Sequence, residues 1–125
     1  MQFGLSEEQI LLQDNVKRFL NDNASLDHVR KYAEGGNDAD IWAGLSELGV
    51  AALLIPEEHG GIGMTPLDAA IVAECLGNNV APGPFLGSAV MAPTALIASG
   101  GDHGEMLAQL AAGTHRVGIA FGEAI

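Results

Sequence analysis

Of the 125 residues, one is a cysteine, five are lysine or arginine, and only 5% are aromatic. A single thiol, Cys75, excludes an internal disulfide and fits a reducing compartment. With a net charge of −11 and no basic residue between Lys31 and Arg116, the chain lacks the cations that phosphate backbones require, which excludes nucleic acid as a partner. Apolar runs break at Gly, Pro or Glu before the roughly 20 residues a membrane span needs. The first residues show no basic region followed by an apolar block, so no secretory signal is read and a cytoplasmic location is expected. His28, His59, His103 and His115 have no second His or Cys at ligand spacing, so no metal site is expected. Internal repeats and low-complexity linkers are absent as well.

What remains is 48% apolar, rich in alanine, leucine and glycine rather than β-branched residues, and long enough for one core. The pattern predicts about six short helices. Ser6 with Gln9 forms a capping box, Leu5 and Ile10 a hydrophobic staple, and Leu12, Val16, Phe19 and Leu20 one apolar face. A second helix runs from a cap at Ser25 through Leu26, Val29 and Ala33 to Gly35 and Gly36. A third starts at Asn37 or Asp38, turns Ile41, Trp42, Leu45 and Leu48 inward, and ends at Gly49. Thr65, Pro66 and Asp68 open a fourth, with Leu67, Ile71 and Cys75 inward. After the turn at Pro82 to Pro84, a fifth contains Val90, Met91, Leu96 and Ile97, and Pro93 must kink it or begin it again. Asp102 caps a sixth, with Glu105 reaching back and Met106, Leu107 and Leu110 before Gly113.

Two segments depart from the helical pattern. Between Ile55 and Met64 lie Pro56, Glu57, Glu58, His59, Gly60, Gly61 and Gly63, a loop whose proline fixes φ and whose glycines allow positive φ or close approach. Adjacent acids in a loop point apart, so Glu57 and Glu58 are read as surface groups, and His59 as an exposed loop residue. At the end of the chain His115, Val117, Ile119 and Phe121 recur with the period of a strand. A lone strand requires a partner, so residues 114–125 are expected to begin a further, β domain after a helical domain of residues 1–113.

These segments, taken together, resemble the amino-terminal helical domain of the flavin-dependent acyl-CoA dehydrogenases. The family's corresponding loop reads Pro-Glu-Glu-aromatic-Gly-Gly-x-Gly and precedes an alanine-rich helix ending in Glu-x-Leu-Gly, as Glu74 to Gly77 do here. The likeness extends from Leu5 to Ile10, through Trp42, Leu45 and Gly49, to Ala81 to Ser88 and Gly113 to Phe121. It implies an all-α cluster followed by the first strand of a β domain. It also implies FAD, an acyl-CoA substrate, electron-transfer flavoprotein as acceptor and a homo- or hetero-oligomer. In the family a carboxylate removes the α proton while hydride passes from the β carbon to the flavin, and both the base and most flavin contacts lie outside this domain. No catalytic residue is therefore expected here. The resemblance assigns acyl contact to the region of Phe85, Ser88, Met91 and Leu96, and flavin contact to Phe121 and Gly122. Where the family commonly has a flavin-bonding threonine this chain has Gly122, which weakens conventional flavin binding by this subunit. The alternative is a non-catalytic helical module that mediates assembly. The loop is expected to shape the substrate side, so that Gly61→Val would impair turnover and leave the fold largely intact.

Overall fold

Six α-helices account for most of the computed structural model, which describes residues 3–120 and Gly122: α1 Glu7–Asn23, α2 Leu26–Ala33, α3 Ala39–Glu47, α4 Pro66–Asn78, α5 Ala92–Ser99 and α6 Gly104–Ala111. Short 3₁₀ turns at Val50–Ala52 and Glu57–His59 lie between α3 and α4, and a seven-residue π-helix, Phe85–Met91, runs directly into α5. No strand occurs among the described residues. The expected all-α class is borne out.

Local chemistry explains most helix ends. Ser6 and Gln9 cap α1 reciprocally, the Gln9 N–H donating to Ser6 Oγ at 3.2 Å and the Ser6 N–H to Gln9 Oε1 at 3.0 Å. Ser25 accepts from the His28 N–H at the start of α2. At α4 the Asp68 carboxylate accepts from both the backbone N–H and the hydroxyl of Thr65, at 2.8 and 2.7 Å, with Pro66 at the first helical position. Pro93 begins a new helix, its second residue in α5, where a missing N–H costs little.

Burial divides into two clusters. The larger joins α1, α3, α4 and the Val50–Ala52 turn through Val16, Leu20, Ile41, Trp42, Leu45, Val72 and Cys75. Gly44 lets α3 approach α1 so closely that a β-carbon there would strike the Phe19 ring. The smaller joins Ala52 and Ile55 to α5 and α6 through Ala92, Leu107, Leu110 and Ala111.

Helix α2 buries nothing fully: Leu26 is 60% exposed and Ala33 is exposed, because eight residues with three charges lie along the surface rather than in the core. Two inward assignments fail. Leu67 is 56% exposed, and Asp68, Ala69 and Val72 take the inward face with Ile71 and Cys75. Leu48 reaches the surface at the helix end. His103, not Asp102, occupies the cap position of α6; Asp102 only accepts from the Gly104 N–H at 3.3 Å.

The central loop is closed by its own backbone. The N–H groups of Gly61, Ile62, Gly63 and Met64 donate to the carbonyls of Pro56, Ala52, Ile55 and Leu53 at 2.7–3.0 Å. Gly60 and Gly63 have φ of 83° and 69°, the left-handed geometry the glycines permit. Gly61 is different, for its φ is not positive and a β-carbon would collide with the carbonyl of Ile55. That corrects the expectation of an intact fold after Gly61→Val: the absent side chain is needed for loop closure itself. His59 is half-buried over Gly104, where the loop meets the first turn of α6.

Candidate functional site

The carboxy-terminal segment finds its partner on a helix. Beyond α6 the chain turns at Gly113, φ 72°, and passes the π-helix without regular secondary structure. Three attachments hold it. Trp42 Nε1 donates to the Gly113 carbonyl at 3.1 Å. Arg116 Nη1 donates to Asp38 Oδ1 at 2.6 Å, joining the tail to the start of α3. Ser88 Oγ accepts from the Val117 N–H at 2.7 Å and donates, at a long 3.4 Å, to the Val117 carbonyl. Gly87 clears the way, since a β-carbon there would strike the same carbonyl. Of the two residues expected to start α3, Asp38 stands at the N-cap position but spends its carboxylate on Arg116 and makes no side-chain cap bond, while Asn37 Oδ1 accepts from Ala39 N–H.

Between the π-helix and this segment lies a groove of about 400 Å³ bounded by Gly83, Pro84, Leu86, Gly87, Met91 and residues 116–119. Its walls are mostly apolar, with Leu86 63% exposed and Ile119 38% exposed. A second cleft, of about 230 Å³, lies between the small residues Pro66, Ala69, Ala70 and Ala73 of α4 and Phe85, Leu86 and Val90. Leu86 borders both.

The four residues assigned to acyl contact do not converge on one cavity. Phe85 is buried and borders the α4 cleft, whereas Met91 borders the larger groove. Ser88 is buried and committed to Val117, and Leu96 packs against the smaller core cluster. Gly122 is exposed and Phe121 lies outside the described residues.

Reactive chemistry elsewhere is subdued. Burial pushes the Cys75 thiol above its ordinary value, so it packs as an unreactive apolar group on α4. Glu57 and Glu58 are exposed, as expected. Ser99 Oγ and His103 Nε2 lie 2.7 Å apart across the turn between α5 and α6, a pairing the sequence reading missed because it depends on how the chain reverses at Gly100. The Ser99 hydroxyl donates to the Leu96 carbonyl at 2.8 Å, which leaves it to accept from the imidazole rather than be activated by it. No group of three potential metal ligands occurs among the described residues. No helix there is long and apolar enough to cross a membrane.

Among the described residues the helices form an all-α domain with apolar grooves beside the π-helix. Residues 6–114 match the family model described as "Acyl-CoA dehydrogenase, N-terminal domain", and the chain belongs to that family. It is 42% identical over 87% of its length to acyl-CoA dehydrogenase IpdE2 of Mycolicibacterium smegmatis and 38% identical over 86% to that of Mycobacterium tuberculosis. It covers 35% of each, so the chain spans about a third of the length of these relatives. Among solved structures, a variant of the Tcur3481-Tcur3483 steroid ACAD superposes with a TM-score of 0.79 at 26% identity, over 88% of this chain and 31% of that one. The ChsE4-ChsE5 complex from Mycobacterium tuberculosis gives 0.77 at 25% identity, over 91% and 32%.

Proposed function

We propose that this chain supplies the helical wall of the acyl cavity in a flavin-dependent acyl-CoA dehydrogenase that converts acyl-CoA thioesters to 2,3-enoyl-CoA. In this reading residues 1–113 form the helical domain and 114–125 enter the β domain. The observation that carries it is the apolar groove between the π-helix and residues 116–119, in a chain of this family. A π-helix frequently accompanies a functional site, because its wide turn displaces side chains from regular helical positions. Met91 and Leu86 would face the acyl chain, Phe85 the neighbouring cleft, and Leu96 would support from behind. Steroid-sized acyl groups are the favoured substrate class, on the similarity to a steroid ACAD. A homo- or hetero-oligomer is the favoured assembly, on the similarity to a two-protein complex, with electron-transfer flavoprotein as the acceptor.

FAD is the implied cofactor, yet the described residues do not by themselves fit it. Arg116, the only Lys or Arg after Lys31, is committed to Asp38, and Gly122 offers no side chain to the ring. A bound flavin would therefore take its contacts from other parts of the assembly, with Phe121 and Gly122 at most beside it. The same observation favours a second reading, in which this chain is a non-catalytic subunit of a mixed acyl-CoA dehydrogenase complex. Purification of the native protein, followed by intact mass and a visible absorption spectrum, tests both. Flavin absorption together with acyl-CoA oxidation is the expected result. A native assembly that oxidises acyl-CoA through flavin held wholly by another chain would establish the second reading. An assembly without flavin or acyl-CoA oxidation would overturn both.

A further inference from the structure

We infer that Ser88 is a positioning residue: its buried hydroxyl stands in for a neighbouring strand, holds Val117 in register on the π-helix, and so sets the width of the groove. An extended segment carries an N–H and a carbonyl at every residue, and burial without partners is costly. At Val117 both groups meet one oxygen, Ser88 Oγ, which accepts from the N–H and donates to the carbonyl. Ser88 is itself only 1% exposed, so water cannot replace it without opening the contact. Three features around it serve the same end. Gly87 removes the side chain that would keep the Val117 carbonyl away. The Ala92 N–H reaches back to the Gly87 carbonyl, the wide π turn that frames Ser88. The pins at Gly113 and Arg116 fix the segment on one side of Val117, leaving Ser88 to fix Val117 itself. Met91 and Leu86 on the π-helix then line, with Ile119, a groove beside which Ser88 is the attachment made from the π-helix itself.

The positioning stands on the geometry alone, while its consequence for substrate choice rests on the acyl-wall reading above. Two measurements separate them. In this chain, Ser88→Ala should speed amide exchange at Val117 about three- to tenfold, the loss of one net hydrogen bond, while core amides such as Leu45 and Val72 are unchanged. Ser88→Thr, which keeps the hydroxyl, should restore protection. Should Ser88→Ala fail to fold, Ser88→Cys keeps the volume with a weaker acceptor and should show the same faster exchange. Unchanged exchange at Val117 in the folded variant would overturn the proposal. In the complete enzyme, Ser88→Ala should shift relative kcat/KM among acyl-CoAs of different bulk by about threefold or more, and Ser88→Thr should reverse it. Faster Val117 exchange with unaltered acyl preference would uphold the positioning and overturn the acyl-wall reading instead.

Discussion

Two positions, half-buried Gly61 and buried Asp68, show how much single residues decide. Gly61→Val should destabilise the chain by about 3 kcal/mol or more in urea melts, since the new side chain overlaps the Ile55 carbonyl and displaces a loop whose neighbours are fully buried. A change within about 0.5 kcal/mol would show that the loop closes differently. Asp68 behaves as an acid-sensitive clamp. Burial alone would raise its carboxyl, but hydrogen bonds from the Thr65 backbone, the Thr65 hydroxyl and the Gln9 amide outweigh that and hold it below the ordinary 3.8. A lowered value in the folded state means that the unfolded chain takes up the proton first. The stabilisation is therefore complete above about pH 4 and is lost as pH falls through the folded value. Asp68→Asn should cost about 1–2 kcal/mol near neutrality and flatten the acid limb of the stability curve below pH ~4. An acid limb identical to wild type would contradict that role.

At the level of elements, the sequence was most legible where a local rule acts alone. Capping boxes at Ser6 and Thr65, the restart at Pro93 and the glycine stop at Gly49 depend on groups within a few residues, and they appear as read. Helix α2 forms where its cap at Ser25 placed it, yet it lies on the surface, with Leu26 exposed and Val29 only half-buried. The period-two pattern after Gly113 predicted a strand, and none occurs among the described residues; the segment meets Ser88 instead, a pairing that spans 29 residues and needs a π turn that no local propensity announces. For the same reason the residues named for acyl contact separate: Phe85 and Met91 border clefts, Ser88 is buried against Val117 and Leu96 is half-buried against the smaller core cluster. Asn37 or Asp38 was expected to start α3, and Asp38 stands at its N-cap position, but the ion pair that claims its carboxylate comes from 78 residues away and could not be read locally. A double-mutant cycle on Asp38→Ala and Arg116→Ala should give a coupling of about 0.5–1.5 kcal/mol at low salt, weakening in 1 M NaCl because Arg116 is partly solvated. Zero coupling at low salt would mean that the tail is held without the ion pair.

For the molecule as a whole, charge and apolar surface oppose each other. Leu67, Leu86 and Ile119 are 56%, 63% and 38% exposed, and Leu86 belongs to both grooves, so an apolar face extends from α4 across the π-helix to the tail. Such a face favours burial against another surface, whether a further domain or a second copy. The net charge of −11 resists close approach of two like chains, most strongly when unscreened. At physiological salt the Debye length is about 8 Å, shorter than the separation between most charges on facing molecules, so the apolar term should win as salt rises. The isolated chain is thus expected to scatter as a monomer at low ionic strength and to self-associate with increasing salt and concentration. It should also show no turnover of acyl-CoA with added flavin, since none of its described groups forms a base or a flavin site. Static light scattering over a salt series checks the first, with Leu86→Glu expected to return the monomer. A strictly monomeric chain up to 1 M salt would show that these grooves are too small or too divided to drive association.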